Sequence, residues 1–180
     1  MKGIIIYKGK YGSTRQYAEW LGAELNLPVT ASDNTSKEQL AEYDFLVLGG
    51  AVYMGKILIH NWLKKNIGAM QGKKIFVFVV CGTPPAKKAE LEKYKQAGVP
   101  AEIRNSAEVY YLPGRMRLKD LSWFDRFMLK MGARLTKDPE AKKEMLMEFD
   151  ELKKENMNEL VKAVRKFCSV RNFAPQVMNT

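Results

Sequence analysis

The sequence predicts a doubly wound α/β fold, in which a parallel sheet carries helices on both of its faces. Unbroken apolar runs occupy residues 4–7, 45–48 and 75–80, and such runs suit strands that are buried on both faces of a sheet. A helical pattern follows each predicted strand, and this alternation occurs five times without an internal repeat or a linker. It implies right-handed crossovers between parallel strands, with ligands bound outside the carboxyl ends of the strands.

The elements are placed along the chain by apolar spacing and by start and stop residues. Ser13 with Gln16 has the spacing of a capping box that opens the first helix, and residues 35–38 form another before the second helix. Gly98 terminates the fourth helix. The last helix is expected to be long and amphipathic, followed by a flexible tail over residues 169–180. We predict strands at about 4–7, 28–30, 45–50, 75–80 and 109–112, and helices at about 15–25, 35–43, 59–67, 86–96 and 139–167.

A single domain with a sizeable core is expected from 180 residues, of which 46% are hydrophobic. No run approaches the ~20 apolar residues that cross a bilayer, and a core strand at the N-terminus leaves no room for a signal peptide. Cys81 and Cys168 lack metal-ligand spacing and are interpreted as reduced thiols of a cytoplasmic protein. His60, the only histidine, is expected on a helix surface, so neither a metal site nor a catalytic triad is predicted.

The net charge of +10 is unevenly distributed. Residues 115–137 contain seven bases and two acids, which gives +5, whereas residues 139–168 are balanced. This segment has the apolar spacing of an amphipathic helix, with a stripe of bases on another face. It is interpreted either as a helix packed on the domain with a solvated charged face, or as a surface for anionic or membrane-borne partners. Nucleic acid is not expected, because no basic run with interleaved aromatics is present. The apolar positions are Phe124, Phe127, Met128, Met131 and Leu135, and the basic stripe is Arg126, Lys130 and Arg134.

Three predicted strand ends carry loops with ligand-binding chemistry. The first loop mixes glycines with hydroxyls before a helix N-terminus, which favours a bound phosphate; it matches neither a Walker loop nor a dinucleotide fingerprint. The second loop offers Tyr53 as an aromatic plate, and the third offers glycine with two prolines. The alternative for the first loop is a plain strand–turn–helix that binds no ligand. The alternative for Tyr53 is an ordinary half-exposed tyrosine of a loop. A flat heterocycle bearing a phosphate, such as FMN, would use all three loops. The predicted cofactor-binding residues are Gly9, Lys10, Tyr11, Gly12, Ser13, Thr14, Ala51, Val52, Tyr53, Met54, Gly55, Gly82, Thr83, Pro84 and Pro85.

These loops resemble those of a known family. Residues 7–14 (Tyr-Lys-Gly-Lys-Tyr-Gly-Ser-Thr) resemble the flavodoxin phosphate loop, and residues 49–55 (Gly-Gly-Ala-Val-Tyr-Met-Gly) resemble its second flavin loop. Residues 109–115 and 121–128 are similar to the flavodoxin-domain branch that contains the quinone-dependent protoporphyrinogen dehydrogenases. In that branch a basic insert lies between the fifth strand and the last helix. The resemblance covers residues 2–167.

The resemblance implies a flavodoxin-like five-stranded parallel sheet of order 2-1-3-4-5, with helices on both faces and a basic helical insert after strand 5. A single FMN-binding domain would then span residues 1–168, with the insert at about 113–138. The phosphate would lie on residues 9–14, and the isoalloxazine between the loops around Tyr53 and around residues 82–85. Gly9 departs from the family, which usually has Ser or Thr there, so one phosphate-binding hydroxyl is missing.

The function implied by the resemblance is that of an FMN oxidoreductase passing electrons between a reduced substrate and a quinone, with protoporphyrinogen IX as the candidate substrate. The alternative is an electron carrier between redox proteins; carriers of this family tend to be acidic, so the basic charge favours the enzyme. No catalytic acid, base or nucleophile is predicted, because FMN itself carries the electrons. The protein is expected in the cytoplasm, with an anionic membrane surface as a candidate partner. The insert is expected to lie outside the three flavin loops and to govern partner choice, through Arg115, Arg117, Arg126, Lys130 and Arg134.

Overall fold

The computed structural model describes residues 1–172, the side chains of Glu144, Arg171 and Asn172 excepted. Within these residues the strands are β1 (Gly3–Lys8), β2 (Val29–Ala31), β3 (Phe45–Tyr53), β4 (Lys56–Ile57), β5 (Lys74–Cys81), β6 (Ala107–Pro113), β7 (Arg115–Met116) and β8 (Phe149–Asp150). The α-helices are α1 (Ser13–Leu25), α2 (Lys37–Ala41), α3 (His60–Met70), α4 (Lys88–Gly98), α5 (Ala101–Arg104), α6 (Trp123–Leu135), α7 (Pro139–Leu146) and α8 (Asn158–Asn172).

The central sheet contains five strands in the order β2-β1-β3-β5-β6, and these five are parallel to one another. This is the predicted order 2-1-3-4-5, counted over the five parallel strands, so the predicted α/β fold class is confirmed. The short strand β4 pairs antiparallel with the end of β3. Because the strands are parallel, the loops that follow β1, β3 and β5 open at the same edge of the sheet.

Successive residues of the central strands point to opposite faces, and both faces are buried. Ile4 and Ile6 pack in one apolar cluster with α2 and α3, whereas Ile5 packs in a second cluster with α1 and α8. A fully buried Ile, Leu or Phe contributes about 1.5–3 kcal/mol relative to leaving it exposed. The unbroken apolar runs of the sequence are explained by this burial on two sides.

The predicted long last helix is wrong. Residues 139–167 form α7, then strand β8, then a 3₁₀ turn (Lys154–Met157), and only then α8. Strand β8 pairs antiparallel with β7, and the ring of Phe149 packs against Gly82, where a Cβ atom would lie only 2.4 Å from it. This long-range pairing overrides the local helical pattern, since helix propensity is a weak preference beside tertiary contacts.

Two predicted capping boxes also differ in the structure. The N-cap of α1 is Gly12, with φ of 89° and no side-chain hydrogen bond, so Ser13 is already inside the helix and cannot cap it. In α2 the box is formed by Ser36 and Gln39, because the hydroxyl of Thr35 donates instead to the carbonyl of Ala31 at 3.2 Å.

Other boundaries shift by a few residues. The third strand continues beyond residue 50 to Tyr53 and turns through Met54 and Gly55, whose φ angles are 48° and 74°. His60 is half-buried rather than on an open helix surface, and its Nδ1 lies 3.0 Å from the carbonyl oxygen of Gly98. Residues 169–172, predicted as tail, continue α8; residues 173–180 lie outside the described residues.

Candidate functional site

A cavity of about 820 Å³ lies at the carboxyl ends of β1, β3 and β5. Its volume is within the usual range of small-molecule sites, about 300–1,000 Å³. All three loops predicted from the sequence border it, through Lys10, Tyr11, Ser13, Thr14, Ala51, Val52, Tyr53, Met54, Gly82, Thr83 and Pro84. The remaining predicted cofactor residues belong to the same loops but do not border the cavity: Gly9, Gly12, Gly55 and Pro85.

The N-terminus of α1 has the electrostatics of an anion site. Among the described residues no side chain caps the helix, and no acidic residue stands in its first turn. The first amide groups and the positive end of the helix dipole are therefore available to a ligand. Ser13 and Thr14, both buried in this first turn, border the cavity.

The hydroxyl of Thr14 is the clearest sign of a missing partner in this turn. Thr14 is 1% exposed, and its Oγ1 has no hydrogen-bond partner among the described residues. A buried hydroxyl without a partner costs about 1–3 kcal/mol, so a ligand oxygen would relieve this cost. The orphaned hydroxyl, the uncapped helix and the adjacent cavity together fit a phosphate-bearing ligand.

Gly9 is required by the same threonine. A Cβ atom at position 9 would lie 2.8 Å from the Cβ and 2.9 Å from the Oγ1 of Thr14. The Ser or Thr that related loops carry at this position would therefore collide with the buried Thr14. Close packing against Thr14 thus leaves no room for a hydroxyl-bearing side chain at position 9 unless Thr14 shifts.

Lys10 and Tyr53 connect the first loop with the second. The Nζ atom of Lys10 donates to the Tyr53 hydroxyl at 2.8 Å and lies 4.0 Å from the centre of its ring. A cation at this distance from an aromatic face is attracted by the ring quadrupole. The β3–β4 hairpin turn, with positive φ at Met54 and Gly55, directs the chain back after Tyr53. Glycine suits such a φ because it lacks Cβ.

The third loop is held by a small polar cluster. The Thr83 hydroxyl donates to Glu90 Oε1 at 3.0 Å, and the Tyr94 hydroxyl donates to the same atom at 2.5 Å. The hydrogen bond from Tyr94 is the largest factor that lowers the pKa of Glu90. Burial raises the pKa of Cys81, which also borders the cavity, so its thiol stays protonated near neutral pH.

The insert forms part of the cavity wall, which corrects the expectation that it lies outside the flavin loops. Helix α6 faces the cavity with Asp125, Met128 and Leu129. Further wall residues come from the segment before α6, from α7 and from β8: Arg115, Met116, Arg117, Asp120, Leu121, Ala141, Met145 and Phe149.

Asp125 borders the cavity and was not among the predicted site residues. Its Oδ1 accepts the Tyr53 hydroxyl at 2.6 Å; its Oδ2 lies 2.6 Å from Lys10 Nζ and accepts the Tyr11 hydroxyl. Burial alone would raise the pKa of Asp125, but the hydrogen bonds from Lys10, Tyr11 and Tyr53 together lower it to about 2. The bond with Asp125 in turn raises the pKa of Lys10. Two sequence signals were present at Asp125: it lies within residues 121–128, which carry the family resemblance, and it stands three residues after Ser122, which caps α6 by accepting from Asp125 N.

The predicted partner surface is divided between two places. Arg115 and Arg117 border the main cavity, and Arg117 is bonded to Asp150 of β8. A second cavity, about 800 Å³ and open to solvent, is bordered by Arg117, Lys119, Arg126 and Lys130 among others. Arg134, the last member of the basic stripe, is exposed and borders neither cavity.

Most of the apolar positions of α6 are exposed, whereas Met128 borders the cavity. Trp123 is 76% exposed, Phe127 52% and Leu135 77%. In the described part of the chain, no helix is long and apolar enough to span a bilayer. We call the following exposed residues the outer face of α6: Trp123, Phe124, Phe127, Met131 and Leu135.

Comparison with known proteins gives a family match and several distant similarities. A family model described as the flavodoxin domain matches residues 4–143. The protoporphyrinogen IX dehydrogenase (quinone) of Escherichia coli strain K12 is 23% identical over 141 residues, which cover 73% of this chain and 78% of that protein. An uncharacterized protein of Methanocaldococcus jannaschii is 30% identical over 87 residues, covering 47% of this chain and 57% of that protein. Among solved structures, a flavodoxin from the domain Archaea has 21% identity and a TM-score of 0.47, covering 67% of this chain and 88% of that one.

Proposed function

The chain belongs to the flavodoxin-domain family, and from this premise we propose that it is an FMN-dependent oxidoreductase that passes electrons from a reduced substrate to a quinone. The observation that carries the proposal is the buried, unpartnered hydroxyl of Thr14 in the uncapped first turn of α1, beside the main cavity. That arrangement supports a phosphate at the helix N-terminus and a ring system in the cavity.

FMN suits this site better than a dinucleotide. The first loop offers one helix N-terminus for one phosphate group, and the sequence lacks the glycine fingerprint of dinucleotide sites. Residues 9–14 would hold the phosphate. Tyr53 and the loop of residues 82–85 would flank the isoalloxazine, which supplies the two-electron chemistry when it is bound. The protein's own part is to bind and orient the ring and to exclude water around it.

The insert supports an enzyme more than a carrier. Helix α6 of the insert and the following helix α7 contribute to the wall of the cavity, so a small substrate could be enclosed there beside the ring. Arg117 borders both this cavity and the second one, where Lys119, Arg126 and Lys130 also lie. Guanidinium and ammonium groups bind carboxylates well. A substrate with carboxylates is thus favoured, and the similarity to an enzyme named for protoporphyrinogen IX makes that compound the first candidate.

A quinone acceptor would place the protein at a membrane, and α6 offers the surface for this. Its outer face is apolar and exposed, and the basic stripe runs along its edge. A helix with exposed aromatic residues on one side and bases beside them is typical of attachment to an anionic lipid surface. We include this peripheral attachment, at the inner face of the membrane, in the proposal.

The proposal is tested by titrating the purified protein with FMN, riboflavin, FAD and NAD. We expect FMN to bind with micromolar or lower Kd, and riboflavin, which lacks the phosphate, to bind about 100-fold more weakly because charge-assisted hydrogen bonds are lost. Equal affinity for FMN and riboflavin would contradict a phosphate site at α1.

Turnover then distinguishes the two function classes. The FMN-loaded protein should reduce a quinone with protoporphyrinogen IX or another carboxylate-bearing donor. Reduction by a ferredoxin reductase without any quinone turnover would favour the electron-carrier alternative.

A further inference from the structure

We propose that Asp125 is a positioning residue of the flavin site, which fixes Tyr53 and Lys10 and thereby makes the insert part of that site. The proposal rests on the proposed function for its ligand, but the contacts that carry it exist in the protein alone. They join the first loop, the second loop and α6 through one carboxylate.

The two oxygens of this carboxylate have different partners. Oδ1 accepts from the Tyr53 hydroxyl at 2.6 Å, and Oδ2 lies 2.6 Å from the ammonium of Lys10 and accepts from Tyr11. Lys10 also donates to the Tyr53 hydroxyl at 2.8 Å, which closes a ring of contacts around the carboxylate. Each loop is therefore tied to α6 directly and to the other loop through Lys10.

Asp125 is itself held firmly. It lies in the first turn of α6, 7% exposed, and its backbone N–H donates to the capping hydroxyl of Ser122 at 3.1 Å. A negative charge in the first turn of a helix is favoured by the helix dipole. The carboxylate thus has a fixed position, from which it orients the Tyr53 ring.

Two consequences follow for the ligand. A Tyr53 ring that is already oriented loses less rotational freedom when the isoalloxazine binds, so the affinity increases. The negative charge of Asp125 also balances the positive charge of Lys10 beside the ring site. Without this pairing, the positive charge of Lys10 would favour the reduced flavin, because reduction can add negative charge.

The test compares Asp125→Asn, which keeps the shape and removes the charge, with Asp120→Asn as a matched control. Asp120 borders the same cavity and is exposed, but its side chain has no hydrogen bond to the loops among the described residues. Tyr53→Phe removes the same bond from the other partner while keeping the ring.

In the ligand-free protein, amide hydrogen exchange reports whether Asp125 holds the loops. We expect Asp125→Asn to accelerate exchange at residues 51–56 and 122–128 by about tenfold, with no such change in Asp120→Asn. Tyr53→Phe should accelerate exchange in the same two segments.

In the FMN-loaded protein, binding and potential report whether the orientation matters. We expect Asp125→Asn to raise the Kd of oxidised FMN by about tenfold in the parent protein. In a protein that already carries Tyr53→Phe, the same substitution should raise this Kd by only about threefold, because the two residues act together. The affinity for reduced FMN should stay nearly constant, so the midpoint potential should rise by about 30 mV for a two-electron couple. A merely structural role would lower the melting temperature without moving the potential.

The outcomes separate this proposal from the proposed function. Failure of the parent protein to bind FMN, with the exchange pattern as expected, would refute the flavin function and leave Asp125 as the tie between the loops. Unchanged exchange in Asp125→Asn would overturn the role of Asp125. Faster amide exchange in Asp125→Asn, with an unchanged Kd of FMN and an unchanged midpoint potential, would mean that Asp125 is only a structural contact. That result would also overturn the proposal.

Discussion

Replacing Thr14 by valine should stabilise the ligand-free protein and weaken FMN binding at the same time. Valine has nearly the same shape, and it puts a methyl group where the unpartnered Oγ1 now lies. A buried hydroxyl without a hydrogen bond costs about 1–3 kcal/mol. Thr14 is 1% exposed, and its Oγ1 has no hydrogen-bond partner among the described residues. We therefore expect Thr14→Val to raise the free energy of unfolding by about 1 kcal/mol.

The binding effect has the opposite sign. If the Thr14 hydroxyl donates to the FMN phosphate, its loss removes a hydrogen bond to a charged group, worth about 1.5–3 kcal/mol. The Kd should then rise by about 10- to 100-fold. Riboflavin carries no phosphate, so its weaker binding should be the same in Thr14→Val and in the parent.

Thermal unfolding and fluorescence titration measure the two effects on the same samples. For a chain of this size, 1 kcal/mol corresponds to a rise of about 2–4 °C in the melting temperature. Thr14→Ser is the matched control, because it keeps the hydroxyl and removes the methyl group. It should retain most of the FMN affinity while losing about 1 kcal/mol of stability. A less stable ligand-free Thr14→Val would mean that the hydroxyl already has a partner, and an unchanged FMN affinity would place the phosphate elsewhere.

Three further predictions concern Gly9, the basic stripe of α6 and Asp125. Gly9→Ser should weaken FMN binding and lower the melting temperature, because the serine Cβ would lie 2.8 Å from the Cβ of Thr14. Such overpacking costs about 1–3 kcal/mol of stability. Tighter FMN binding by Gly9→Ser would contradict this prediction. Changing all three bases of the basic stripe to Gln should weaken binding to anionic vesicles, measured by cosedimentation, by about two orders of magnitude, since each base near the surface contributes about 1 kcal/mol. The FMN affinity should stay constant. Equal vesicle binding in the parent and the variant would mean that α6 is simply a helix with a solvated charged face. Denaturant unfolding should show that the parent and Asp125→Asn differ less in stability as the pH falls from 3.8 towards about 2, because the pKa of Asp125 is lowered in the folded state. A difference that stays constant over this range would argue against a stabilising, ionised Asp125 carboxylate.

The sequence predicted the sheet well, and the three loops that it assigned to a ligand border one cavity in the structure, because both features depend on local patterns. Apolar runs mark strands that are buried on two faces, and alternation with helices implies parallel pairing. Once the strands are parallel, the loops after β1, β3 and β5 must open at one edge. The convergence of Lys10, Tyr53 and Thr83 on one cavity therefore follows from short stretches of sequence.

Local patterns failed where distant segments meet. Residues 139–167 have helical spacing throughout, yet Phe149 and Asp150 leave the helix to pair with β7. The first capping hydroxyl was misassigned for a different, local reason. Gly12 enters α1 with a left-handed conformation, which puts Ser13 inside the helix and leaves the first turn open to a ligand.

The sequence by itself determined that α6 would be an amphipathic basic helix, and only the tertiary structure decided which side faces inward. Periodicity groups residues on a helix face, but it holds no information about what that face meets. Here the side with Asp125 closes on the cavity, and Phe127 and Leu135 are left exposed. One of the contacts that hold α6 in this orientation joins Tyr11 to Asp125 across 114 positions of the chain. Bonds of that span exist only after the sheet has brought the loops together, so no local pattern can encode them.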